Sequence, residues 1–132
     1  WEKAARGVDG RAFPMGDTLI PPWANVAQST REAPALRPVD DHPLDRSPYG
    51  VLGLAGNVRD TCRTRYVRRG QVQDGQRLRP EVDVGDGGLW EVRGGSLISP
   101  PIYCRASGRF AVTPDEHSSA GLRLARSWPG EP

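Results

Sequence analysis

From Thr18 to Pro48 the chain carries Pro21, Pro22, Pro34, Pro38, Pro43 and Pro48, with no sustained apolar period between them. Each proline fixes φ and removes a backbone N–H, so neither a helix interior nor a central strand can run through such a stretch. A loop this long is uncommon in a compact domain unless it is functional or the fold tolerates it. Glycine extends the same constraint: with 16 Gly and 13 Pro in 132 residues, much of the chain must be turn and loop. Four Trp and several short apolar runs separate it from a disordered chain of similar composition.

Regular structure is therefore expected in short pieces. Trp1 to Gly7 (W-E-K-A-A-R-G) reads as the last turns of a helix, with strong helix formers from Glu2 to Arg6 and Gly7 as the stop. Asp9-Gly10 marks a turn and Phe13-Pro14 an extended dipeptide. From Ser47 to Asp60 the apolar Tyr49, Val51, Leu52, Leu54 and Val58 alternate with small residues, and Gly50, Gly53 and Gly56 permit close backbone approach or positive φ. Residues 67–88 form a second, charged loop. Leu89 to Val92 reads as a strand entering an Arg93-Gly94-Gly95-Ser96 turn. Periodicity leaves Tyr103 to Ala111 open between strand and short helix. Leu122, Leu124 and Trp128 suggest a final strand, with a frayed tail from Pro129 to Pro132. The expected core is Trp1, Phe13, Leu52, Leu54, Val58, Val92, Leu97, Phe110, Leu122 and Leu124.

Charge excludes little outright. Lys and Arg number 18 against 16 Asp and Glu, a formal +2. Arg63, Arg65, Arg68 and Arg69 cluster beside Tyr66, but Asp74, Glu81, Asp83 and Asp86 follow closely, so a solvated face is expected rather than a nucleic-acid site. No window approaches the roughly 18 apolar residues of a membrane span. There is neither a signal-peptide pattern nor an initiating Met, and the chain opens inside a helix; a fragment of a longer protein is expected, with the cytoplasm as its default compartment. Cys62 and Cys104 lack metal-pair or disulfide-framework spacing, so two reduced thiols are the default, with a structural disulfide left open. His42 and His117 sit beside acidic residues and are expected to be solvated loop histidines.

W-E-K-A-A-R-G, F-P-M-G-D, S-P-Y-G-V-L-G-L-A-G-N-V-R-D, V-R-G-G-S-L and G-L-R-L-A-R occur in that order along the chain. In this succession the sequence resembles the formylglycine-generating enzyme family, the sulfatase-modifying-factor domain. The resemblance implies an α+β, C-type-lectin-like fold, loop-rich with short strands and few helices. It implies that residues 1–132 are one partial domain whose N-terminal part lies before Trp1. The family's enzymes oxidise a peptide cysteine to formylglycine with oxygen and with copper held by two cysteines. Counting from Gly94-Gly95-Ser96 puts Ser99 at the first of those cysteine positions and Cys104 at the second. Copper(I) is soft and suits thiolates, whereas a hydroxyl is hard and neutral, so copper binding is not expected.

The same resemblance implies calcium sites. Asn25 and the Val26 carbonyl match one; the Gly56 and Val58 carbonyls with Asp60 match the other, where Gly53 replaces an expected side-chain ligand. A calcium ion wants several oxygens, so a weak site or none is expected. It also implies that Arg93, Arg109 and Arg123 are structural, tying loops together through their several donors. The resulting expectation is a non-catalytic binding or regulatory module for an unknown peptide, protein or small-molecule ligand. The G-N-V-R-D form, with Arg59 where the enzymes carry Trp, looks most like the branch linked to bacterial serine/threonine kinases. The alternatives are an active peptide-cysteine oxidase and the accessory domain of an iron-dependent sulfoxide synthase.

Overall fold

A computed structural model describes residues 1–66, 73–74, 77–78, 88–113, 115 and 120–126. Helix α1 spans Glu2–Arg6 and ends at Gly7, where φ is +68° and the amide donates to the Lys3 carbonyl at 3.0 Å. Only a residue without Cβ takes that φ cheaply, which is why the stop is a glycine. Ala5 is the face it buries.

One four-stranded sheet organises the rest. Its strands are β1 (Arg59–Arg65), β4 (Trp90–Arg93), β5 (Arg109–Val112) and β6 (Ala120–Leu122), in the order β5-β4-β1-β6. β4 is antiparallel to both β1 and β5, and β6 lies parallel to β1. Strands β2 (Gln73–Asp74) and β3 (Arg77–Leu78) pair separately as an antiparallel two-stranded ribbon. Two 3₁₀ turns, Pro21–Trp23 and Pro101–Cys104, punctuate the loops. Among the described residues the content is one four-stranded sheet with a small two-stranded ribbon, few helical turns and much ordered loop, an α+β arrangement, and no helix is long and apolar enough to cross a membrane.

Register sets what each face of the sheet carries. The pairs Asp60↔Arg93 and Arg93↔Arg109 align Asp60, Glu91, Arg93 and Arg109 on one face. There Asp60, Glu91 and Arg93 are buried, and all the charges are paired: Arg93 with Glu2 at 2.6 Å and Glu91 at 3.2 Å, the half-buried Arg109 with Glu91, and the more exposed Arg123 with Asp60 at 2.9 Å. Arg93 also donates to the Ser107 and Gly108 carbonyls, so one side chain closes a loop and anchors the helix. Trp1 adds an indole N–H to Asp60 at 2.6 Å. The opposite face carries Trp90, Val92, Phe110, Val112 and Leu122, with Val92 fully buried.

The core is small and lies mainly between loops. Phe13, Leu19, Ala24, Val26, Ala55 and Cys104 form one cluster; Ala5, Leu54 and Ala106 form a second, with Trp1 and Val51 packed against it. Of the expected core, Phe13, Leu54 and Val92 are buried, while Trp1, Leu52, Val58, Leu97 and Phe110 are half-buried. Two expectations are corrected: Leu122 is 74% exposed and Leu124 92%. β6 is an edge strand of three residues, and Leu122 projects from an open end of the sheet face beside Trp90 and Val112. Leu124 lies beyond the strand. The Tyr103–Ala111 ambiguity resolves into both elements, since a 3₁₀ turn ends at Cys104 and β5 begins at Arg109. Of the expected loop at 67–88, only the β2–β3 backbone and Gly88 are described; Trp128 and His117 lie outside the described residues.

Candidate functional site

The Gly94–Cys104 segment crosses the mouth of the loop core. Gly94 has φ +76° and sits against the Leu54 carbonyl and the Trp1 ring. Gly95 donates to the Ala55 carbonyl at 3.0 Å, and a Cβ there would collide with that oxygen and with the Cys104 sulfur. The double glycine therefore lets the segment lie flat on Ala55 and leaves the space that the Cys104 thiol fills. A turn follows, closed by the Ser99 amide on the Ser96 carbonyl at 2.8 Å.

Ser99 is a hub of this turn. Its Oγ accepts the Ser96 amide at 3.0 Å and lies 3.0 Å from the Ser96 hydroxyl, and Arg59 Nη2 donates to it at 3.3 Å. The Ser99 carbonyl accepts the Ala27 amide at 3.0 Å. Pro100 and Pro101 then start the 3₁₀ turn that ends at Cys104. Cys104 is fully buried, and its thiol donates to the Pro100 carbonyl at 3.5 Å. Burial, helped by the Asp45 charge, pushes that thiol up to about 12 against the partial pull of Arg59. A thiol raised this far stays protonated at neutral pH, whereas the thiolate is the form that binds metal or attacks. Ser99 and Cys104 are thus neighbours, but they present one bound hydroxyl and one protonated thiol. Copper(I) finds a poor fit in that pair. Cys62 lies on β1 among Glu91, Arg93 and Asp60, in different surroundings from Cys104, and burial raises its thiol as well. Both cysteines are free thiols.

Of the residues matched to calcium sites, Asn25, Val58 and Asp60 line a cavity of about 220 Å³ together with Asp45, Gly53 and Asn57, whereas Val26 and Gly56 are not part of its lining. Asn25, Asp60 and the Val26 carbonyl already have protein partners. Asn25 Nδ2 donates to Ala35 O at 2.9 Å and Asn57 Oδ1 at 2.8 Å; its backbone carbonyl accepts the Asn57 amide at 2.7 Å. The Val26 carbonyl accepts the Ser29 amide at 3.0 Å. Gly56 packs so closely that a Cβ would strike the Asn25 carbonyl. Asp60 Oδ2 accepts both Trp1 Nε1 and Arg123 Nε. Arg123 also donates to the Gly53 carbonyl at 2.8 Å, so a guanidinium lies among these oxygens and a hard dication would fit poorly beside it. Among the described residues no three His, Cys, Asp or Glu side chains gather as a metal site.

Asp45 is the residue that sequence reasoning missed. It is 2% exposed and accepts the amides of Leu54, Ala55 and Gly56. Burial raises its carboxyl, with those three amides pulling the other way. Nothing local marks it in a proline-rich loop; the usable signal was the Gly53–Gly56 turn, whose consecutive amides need an acceptor from elsewhere. Of the basic cluster, Arg63 is exposed, and Arg65 lies 3.6 Å over the Trp90 ring and donates to the Gly88 carbonyl. Arg68 and Arg69 lie outside the described residues. His42 Nδ1 lies 3.2 Å from the Pro22 carbonyl.

A family model described as the sulfatase-modifying factor enzyme 1-like domain matches residues 1–128. No curated protein matches the chain.

Proposed function

For a chain that belongs to the sulfatase-modifying factor enzyme 1-like family, we propose a non-catalytic binding module, in which the segment that would hold copper serves as a rigid, metal-free surface. The observation that carries this reading is the Ser96–Ser99 turn. The Ser99 hydroxyl is fixed by the Ser96 amide and hydroxyl, and the only sulfur beside it is a buried, protonated thiol. Two thiolates both hold a soft ion and supply the reactive sulfur, and neither role falls to a serine. The calcium-matched residues are read in the same way, as loop scaffolding crosslinked by Asn25, Asp60 and Arg123. The loop-rich single sheet supports a C-type-lectin-like arrangement, a fold whose loops present ligands. The G-N-V-R-D form supports membership of the kinase-linked branch, which a kinase catalytic loop in the same reading frame would test.

The decisive experiment is a copper(I) titration of the whole protein, followed by mass spectrometry of a sulfatase-type cysteine peptide incubated with it in air. The expected result is no stoichiometric tight binding and an unchanged peptide thiol. Tight copper with loss of that thiol would establish the oxidase instead. Ser99→Cys should raise copper affinity if position 99 is the lost ligand's place; no rise would remove the main support for the reading.

A further inference from the structure

Arg59 and Ser99 lie 40 positions apart in the sequence and meet in space, where Arg59 Nη2 donates to Ser99 Oγ at 3.3 Å. A guanidinium facing a hydroxyl makes this corner polar and positive.

The way Arg59 is held sets it apart from the other partly buried arginines. Arg93, Arg109 and Arg123 are each engaged by a carboxylate, and Arg93 and Arg123 by loop carbonyls as well. Among the described residues the Arg59 side chain makes one hydrogen bond, at a long 3.3 Å, and has no carboxylate partner. Its Nε is buried and without any acceptor. The side chain is nevertheless pinned, its guanidinium lying 4.6 Å over the Phe110 ring, which Tyr103 meets edge-on at 5.9 Å. A cation fixed in place on a ring with most of its donors unused is preorganised for an anion.

The charge available identifies the anion. One guanidinium with neutral hydroxyls beside it balances a monoanion, whereas a phosphate dianion asks for several cations. The surroundings indicate what bears it. Ile98, Ile102 and Tyr103, on the same short segment as Ser99, are 62%, 60% and 50% exposed. Exposed apolar side chains on the segment that carries Ser99, the partner of Arg59, suit a peptide better than a small polar metabolite.

We propose that Arg59, steadied by the buried Ser99 hydroxyl, anchors a carboxylate-binding site, and that its ligand is an acidic peptide whose apolar side chains lie on Ile98, Ile102 and Tyr103. This rests on the reading of the segment as free of copper.

The test is NMR observation of the arginine Nε–H signals of the whole protein, titrated with a capped peptide carrying one glutamate among leucines. A second titration uses the same peptide with glutamine. The Arg59 signal should shift saturably with the glutamate peptide, and at least tenfold more weakly with the glutamine peptide. Arg59→Gln should weaken glutamate-peptide binding at least tenfold, and Ile102→Ser should weaken it while the Arg59 signal still responds to acetate. Equal response to both peptides, no saturable response, or tighter binding of inorganic phosphate than of the glutamate peptide overturns the proposal. The peptide comparison needs only the native protein, so a variant that fails to fold does not blunt it. Copper-dependent oxidation of a cysteine peptide would instead defeat the metal-free reading beneath it. A protein inert to copper and indifferent to glutamate defeats this proposal alone.

Discussion

Replacing Asp45 with alanine should be among the most damaging single changes outside the sheet. The carboxylate is buried and accepts three consecutive amides, those of Leu54, Ala55 and Gly56, at 3.0 to 3.2 Å. Removing it leaves three buried donors without an acceptor, each costing about 1–3 kcal/mol. Water entering the vacated space recovers part of that, so the expected loss is about 3–6 kcal/mol, much of the stability of a typical domain. Asp45→Asn keeps one oxygen but turns an NH₂ towards the amides, and should fall between alanine and wild type. Exposed Asp41, whose side chain makes no hydrogen bond among the described residues, is the control; Asp41→Ala should change stability by no more than about 0.5 kcal/mol. Urea unfolding measures the loss, and hydrogen exchange at residues 54–56 locates it. A loss below about 1 kcal/mol with those amides still protected would refute the claim that Asp45 holds the turn.

The Cys104 thiol is raised to about 12 in the fold against an ordinary value near 8.5 when unfolded. Its contribution to stability is therefore complete below about pH 8.5 and declines as pH rises towards 12, because only the unfolded chain gains the thiolate. Thiol labelling at pH 8 should spare Cys104 until unfolding, and labelling of Cys104 in the folded protein would contradict its burial. In the sheet, Glu91→Gln should cost about 3 kcal/mol, since the Glu91 carboxylate serves both Arg93 and Arg109 and its loss leaves two guanidiniums facing a neutral amide. Thermal unfolding in low and high salt checks this: the deficit should persist in high salt, because a buried network is weakly screened.

Local chemistry was legible where a residue's own backbone needed it. Gly7 ends α1 because the chain must turn there, and β4 occupies Trp90–Arg93, within a residue of its alternating apolar pattern. Counting from a double glycine singles out Ser99 and Cys104, and the Cys104 sulfur lies 4.0 Å from the Ser99 backbone carbonyl. Partnerships across long separations could not be read. Asp45 and its turn are about ten residues apart with no shared pattern, and Arg59 reaches Ser99 only because β1 and the 96–99 turn meet in space. Leu122 and Leu124 misled because an apolar pattern states which residues prefer burial, not whether an edge strand has anything to bury them.

The order β5-β4-β1-β6 also bears on how the chain comes to be folded. β1 is central, yet its partners β4 and β6 begin about 30 and 60 residues later, and among the described residues no nearer segment pairs with it. Closing such loops before any contact rewards them makes folding slow, in the millisecond-to-second range typical of non-local sheets. At about 5–20 residues per second of synthesis, β1 leaves the ribosome seconds before β6 exists to cover its parallel side. During that interval its N–H and C=O groups form an open template for other strands. Yet β1 itself reads Arg59-Asp60-Thr61-Cys62-Arg63-Thr64-Arg65, with four charges in seven positions. Charges on a waiting strand oppose its pairing with another nascent chain, so the arginines and aspartate that later crosslink the fold also guard it while it is being made.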